Sequence, residues 1–288
     1  MQPTSRRVRG AHDLSLHLLS WSDEGVPLLL LHGFGNDAHI WDDFAPSVAP
    51  HYRVAALDHR GHGDSAWDPE RRYEHDAMVE DVERVTAELG IERLVVVGHS
   101  LGGRIATLFA GRHPERMAGL VLVDIGPEVD ARGKLRIRMD VESRPSPVYA
   151  SAAEYARDLS LAYPAARPDA LTRMAEHGLR RRVDGLFELK IDPALRGGFA
   201  SSRETPAEAE TREREAERTL WDALAKIPCP TLVVRGAASD ILSPECADRM
   251  VEEVLPKGRL AVVARAGHSV MTDNPDGFRD AVCEFVLA

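Results

Sequence analysis

Leu94-Val95-Val96-Val97-Gly98-His99-Ser100-Leu101-Gly102-Gly103 is the stretch on which the reading of this chain turns. The first four residues form a short apolar run of buried-strand type. From Leu101 onward the apolar positions Leu101, Ile105, Leu108 and Phe109 recur at helical spacing. A strand therefore passes through a sharp turn into a helix, with Ser100 at the corner. A serine hydroxyl is a weak nucleophile at its own pKa and must be presented, exposed, to a base. Glycines two positions either side let strand and helix close on that corner. The G-x-S-x-G pattern is weak by itself; the strand before it and the helix after it give it content.

Further apolar runs at 27–31, 53–57, 119–123, 231–234 and 260–264 read as buried strands, and 14–20 alternates as an outer, antiparallel strand does. Between them lie helical patterns. Met78, Val82, Val85 and Leu89 make one face of a helix over 76–89 that Gly90 ends. Ser243-Pro244-Glu245 is an N-cap, a first-turn proline and a first-turn acid, and the last helix covers 275–286. Strands alternating with helices predict an α/β fold, a mostly parallel sheet with helices on both faces. The rhythm stops between Ile125 and Pro230, where prolines, arginines and helical stretches take over. Glu208/Arg212 and Glu210/Arg214 stand there at the favourable i, i+4 spacing. The predicted organisation is a core of 1–126 and 227–288 with a helical cap, 127–226, inserted before the strand at 231–234.

A nucleophile at Ser100 needs donors for an oxyanion and a base with a carboxylate behind it. The elbow itself offers the N–H of Leu101. The loop after the strand ending Leu28-Leu29-Leu30-Leu31, which reads His32-Gly33-Phe34-Gly35, offers that of Phe34. In the chain order Ser, acid, His, the base is His268, in Ala266-Gly267-His268-Ser269. The acid is assigned to Asp240, past the strand at 231–234, with Asp124, past the preceding strand, as the alternative. Every one of these positions follows the C-terminal end of a predicted strand, where open α/β sheets place their sites.

These residues carry a resemblance. Together with Leu57-Asp58-His59-Arg60-Gly61-His62-Gly63-Asp64-Ser65, they make the chain similar to α/β-hydrolase fold proteins, in the branch of carboxylesterases, lactonases, carbon–carbon bond hydrolases and cofactor-free haloperoxidases. The resemblance covers the sheet portions, 28–124 and 231–288, and no motif in the insertion. It implies an acyl-enzyme at Ser100 and no cofactor or resident metal. Serine at the nucleophile position departs from the aspartate that epoxide hydrolases and haloalkane dehalogenases of this fold use there.

Composition and rival motifs narrow the reading. A net charge of −10 argues against a nucleic-acid footprint or an anionic membrane surface. Arg180, Arg181 and Arg182 read as a solvated helix face. Three scattered cysteines, Cys229, Cys246 and Cys283, suggest neither a disulfide framework nor a zinc site. With no signal-peptide run near the start, the expectation is a soluble, cytoplasmic protein. Gly61-x-Gly63-x-x-Ala66 is a loose dinucleotide pattern with no helix opening at it. His59, His62 and Asp64 match no common zinc spacing, and Trp41, Trp67 and Trp221 read as packing residues, Trp41 close enough to the 32–35 loop to line a pocket. The expected partner is a small acyl substrate. Hydrolysis of a small carboxylic ester or lactone leads. Carbon–carbon bond hydrolysis of a diketone-like or dienol acid would use the same triad but needs a cation for the substrate carboxylate; Arg104, on the elbow helix, is expected to point elsewhere. Perhydrolysis is not separable from esterase activity, and a ligand-binding receptor without catalysis is the reading from another class.

Overall fold

The computed structural model describes residues 2–143, 147–197 and 205–288. Among the described residues there are eleven strands: β1 (Thr4–Arg9), β2 (Ser15–Ser20), β3 (Val26–Leu31), β4 (Tyr52–Leu57), β5 (Leu94–His99), β6 (Met117–Val123), β7 (Val148–Tyr149), β8 (Leu179–Arg181), β9 (Phe187–Leu189), β10 (Thr231–Gly236) and β11 (Gly258–Val263). Eight form one twisted sheet in the order β1-β2-β4-β3-β5-β6-β10-β11. β2 runs antiparallel to β1 and β4, and every other pair is parallel.

The strands read as continuous apolar runs because both faces are covered. Leu29, Leu31, Val96, Leu120, Leu122 and Val233 face one core, with Met78, Val82, Ile105 and Phe109 of the helices His75–Glu88 and Leu101–Arg112. Their neighbours Leu28, Leu30, Val95, Val97, Val121, Val123 and Val234 face the other, with Trp41, Phe44 and, from the helix Pro275–Val286, Phe278 and Val282. After β3 the chain moves to β4 on one side and then crosses to β5 on the other. That reversal leaves a crevice beyond the C-terminal ends of β3 and β5, where the His32 loop and Ser100 emerge.

The insertion is mostly helical, as expected: Ala131–Ser143, Ala152–Ala162, Pro168–His177, Pro193–Gly197 and Pro206–Leu224. It also holds a small antiparallel sheet, β7-β9-β8, whose strands are too short for a two-residue period to register. Arg180 and Arg181 lie on β8 rather than on a helix. Arg180 pairs with Glu188 and lies over the Trp67 ring at 4.0 Å, and Arg182 pairs with Asp184. The far end of the long helix is part of the core: Leu220, Ala223 and Leu224 pack into the first cluster, and a Cβ on Gly111 would stand 2.8 Å from the Ala223 Cβ. The packed core thus extends into the stretch predicted as cap. Among the described residues, no helix is long and apolar enough to cross a membrane.

Candidate active site

Ser100 sits between β5 and the helix that follows, with φ 51° and ψ −115°. A non-glycine residue holds such a backbone only where its surroundings dictate it, at about 1–3 kcal/mol. Those surroundings explain the flanking glycines. A Cβ on Gly98 would lie 2.5 Å from the Gly102 carbonyl oxygen, and one on Gly102 would lie 2.3 Å from that of Leu31. Strand, helix and neighbouring strand pack backbone to backbone, so the turn has nowhere else to go.

Three strand ends converge on the serine. His268, in the loop after β11, places Nε2 3.0 Å from Ser100 Oγ and Nδ1 2.9 Å from an Asp124 carboxylate oxygen. Asp124, at the end of β6, is wholly buried. It accepts from the backbone N–H of Gly236 at 2.9 Å and from the Ser239 hydroxyl at 2.6 Å. Ser239 Oγ in turn accepts from the N–H groups of Ile241 and Leu242 at 3.0 and 3.1 Å, so its proton is directed at Asp124. Both Asp124 oxygens already accept, from Gly236 N–H and the Ser239 hydroxyl, so the Nδ1 of His268 donates to the carboxylate. Its Nε2 then faces Ser100 as an acceptor. The line can move a proton from the serine oxygen to the imidazole and hold the resulting charge.

The structure corrects the assignment of the acid. Asp240 does not reach His268; it takes a bidentate pair from Arg136 on the helix Ala131–Ser143, at 2.6 and 2.9 Å. That bonding holds its carboxyl below the usual carboxylate range. The cause is the turn after β10. Ser239 N–H bonds the Gly236 carbonyl at 3.0 Å, which points Ser239 inward and leaves Asp240 on the outer side. Asp124, the alternative in the sequence, is the carboxylate beside the histidine.

The His32 loop is docked on the elbow. Gly102 N–H bonds the His32 carbonyl at 3.1 Å, and a Cβ on Gly33 would stand 3.2 Å from that of Ser100. Phe34 therefore belongs to a loop that abuts the serine, with its ring edge-on to His62. Leu101, as the first residue of its helix, has no acceptor for its N–H within the helix. Arg104 is half-buried on the helix after Ser100, beside Leu220, Leu224 and Met250.

Four buried histidines support this floor, and sequence reasoning missed them as a group. His32 accepts the His59 N–H at 3.1 Å, and His59 Nε2 donates back to the His32 carbonyl at 3.1 Å. His99 Nε2 donates to the His268 carbonyl at 3.0 Å and so fixes the backbone of that residue. Burial, reinforced by neighbouring imidazoles, lowers His59 and His99 to about 3. Burial lowers His62 to about 4, and burial together with the His59 and His62 imidazoles holds His32 well below its ordinary value. All are neutral hydrogen-bonding groups at pH 7. Asp58, a residue of the same turn, accepts from Ala38 N–H, Asp64 N–H and His17. Gly61 and Gly63 both have positive φ there and open no helix, which disposes of the dinucleotide pattern. Trp41 is buried in the core.

The family model of the alpha/beta hydrolase fold matches residues 26–275. The chain belongs to the α/β-hydrolase family. With that it is an enzyme of the hydrolase class. An esterase of Mycobacterium tuberculosis is 27% identical over 283 residues, spanning 95% of this chain and 86% of that protein. The 2-(acetamidomethylene)succinate hydrolase of Mesorhizobium japonicum is 27% identical over 288 residues, 99% of this chain and 95% of that one. A crystal structure of an E-2-(acetamidomethylene)succinate hydrolase superposes with a TM-score of 0.86 at 23% identity and full coverage of both chains. At that identity, the superposition speaks for the fold alone.

Proposed function

We propose that this α/β hydrolase is a serine hydrolase that cleaves a small carboxylic ester or lactone through an acyl-enzyme at Ser100. The observation that carries the proposal is the unbroken line Ser100 Oγ, His268 Nε2 and Nδ1, Asp124 carboxylate, at 3.0 and 2.9 Å. Ser100 Oγ attacks the carbonyl carbon while its proton passes to His268 Nε2. The oxyanion is received by the N–H groups of Leu101 and Phe34. His268 then protonates the departing alkoxide, and the alcohol leaves. A water molecule, deprotonated by the same histidine, attacks the acyl carbon and releases the acid and Ser100.

The relatives support this reading at the level of chemistry: one is named an esterase, another a pimeloyl-[acyl-carrier protein] methyl ester esterase. The carbon–carbon alternative needs a cation for its substrate carboxylate, and Arg104, the candidate on the elbow helix, lies half-buried beside Leu220, Leu224 and Met250. Hydrolysis of p-nitrophenyl esters of increasing acyl length tests the proposal. The native chain should turn over, and Ser100→Ala should lose about three or more orders of magnitude in kcat. Absence of turnover together with failure of a fluorophosphonate to label Ser100 would sink it in favour of a binding role.

A further inference from the structure

At the edge of the site the cap and the core meet through a pair of histidines that the catalytic reading does not use. His39 lies on the short turn Ala38–Trp41 just past the His32 loop, and its N–H is capped by the Asp37 side chain at 2.9 Å. Asp42 follows directly and takes the His39 Nδ1 hydrogen bond at 2.9 Å. His177 ends the cap helix Pro168–His177. Its ring stacks on that of His39 with centroids 3.4 Å apart and planes 16° from parallel. One ligand atom from each of the three side chains lies within 4.8 Å of the other two. The second oxygen of Asp42, Oδ1, is buried and has no hydrogen-bond partner. A buried carboxylate oxygen left bare is costly, and the nearest cation does not relieve it: Arg173 is committed to Asp43, with Nε 4.0 Å from the other Asp42 oxygen.

We propose that His39, Asp42 and His177 form a site for one divalent transition-metal ion that staples the cap to the core. Two imidazoles and a carboxylate with one position left for water are a zinc-type donor set, and imidazole equally suits nickel. A tetrahedral ion with Zn–N bonds of about 2.0–2.1 Å holds its two nitrogens about 3.3 Å apart, close to the separation of the stacked rings. Lone pairs lie in the ring planes, so the rings must splay for both to point at one ion. His177 has that freedom, being half-buried at the last position of its helix and followed by Gly178. Asp42 would turn its bare oxygen to the ion.

The position gives the ion leverage. A narrow cleft of about 10 Å³ lies beside it, lined by Gly35, Asn36 and Ile40 of the core and Tyr155, Met174 and Gly178 of the cap. Gly35 and Asn36 belong to the loop that abuts Ser100. An ion joining His39 to His177 fixes the two walls of that cleft relative to each other and opposes any parting of cap from core.

The test is titration of the full chain with zinc chloride in a chelator-free buffer, by calorimetry and by thermal melting, against His177→Gln and His39→Gln. The native chain should bind one zinc ion that both variants lose, with affinity at least tenfold weaker. At zinc one hundred times its Kd, the native unfolding equilibrium constant should fall about 100-fold and Tm should rise. His177→Gln should melt at the native temperature without metal, which separates loss of a ligand from loss of the fold. A native chain that takes up no zinc, or a His177→Gln variant that titrates like the native chain, overturns the proposal. Neither result depends on what Ser100 does.

Discussion

Replacing Asp124 by asparagine should nearly abolish turnover, whereas the same change at Asp240 should barely register. The buried carboxylate of Asp124 accepts three hydrogen bonds, from Gly236 N–H, Ser239 Oγ and His268 Nδ1. An asparagine oxygen can keep the Gly236 bond, but its NH2 group then faces His268. Nδ1 becomes the acceptor, the ring proton moves to Nε2, and the histidine can no longer take the Ser100 proton. The same substitution in a serine protease triad costs about 10⁴ in kcat, about 5.5 kcal/mol of transition-state stabilisation, and a loss of that order is expected here. Asp240→Asn removes an ion pair whose partners are 29% and 40% exposed. Such pairs are worth about 0–1 kcal/mol, so kcat/KM should change by no more than about fivefold. The assay is kcat/KM on a short-chain p-nitrophenyl ester, with thermal melts to show that both variants are folded. The reasoning is refuted if Asp124→Asn retains activity within tenfold of native, or if Asp240→Asn is the variant that loses three orders of magnitude.

Two other outcomes follow from the same geometry. Stability should fall with acid well before ordinary carboxylates titrate: His59 and His99 are lowered to about 3 and His62 to about 4, so below pH about 6.5 the unfolded chain binds protons that the folded chain refuses, costing up to about 1.4 kcal/mol per pH unit for each. Burial raises Asp37 to about 7, which works in the opposite sense and cancels one histidine. A denaturant midpoint that stays level from pH 7 to pH 5 would contradict this. Gly236→Ala should also cut kcat, because its Cβ would stand 2.0 Å from the Gly267 carbonyl and push the His268 loop off Ser100; native kcat in a folded variant would show that the loop tolerates displacement.

Much of this was readable from the chain because the physics is local. Ser100 and its glycines are a strand–turn–helix written in consecutive residues, and of the other strands in the large sheet β2 announces itself by alternation and β3 to β6, β10 and β11 as apolar runs. β1 is missed because Thr4–Arg9 alternates polar residues along an edge and buries only Val8. The small sheet β7-β9-β8 is missed because two or three residues carry no period. The histidine floor is missed for a different reason: His32, His59 and His99 sit on separate strand ends, and only the sheet order β4-β3-β5 brings them together.

Local reading assigned the acid to Asp240, whereas the structure sets Asp124 beside His268, and the reason lies in how the site is built. β10 lies between β6 and β11, so loops after β6 and after β10 both pass beneath His268, and either could present a carboxylate. The choice falls to the direction of single side chains within one tight turn. The loop after β10 sends Ser239 inward to hold Asp124 and Asp240 outward to hold Arg136. The outward side is crowded by the insertion. Asp130 N–H bonds the Ile241 carbonyl at 2.9 Å, and a Cβ on Gly133 would lie 2.3 Å from the Asp240 carbonyl oxygen. The Ile241 N–H, in the same short segment, is a donor to Ser239 Oγ. One loop therefore seats the helix Ala131–Ser143 of the insertion on one side and orients the buried carboxylate on the other. A shift of that helix large enough to drag residues 240–241 must act on Ser239, and through it on the carboxylate that sets the tautomer of His268.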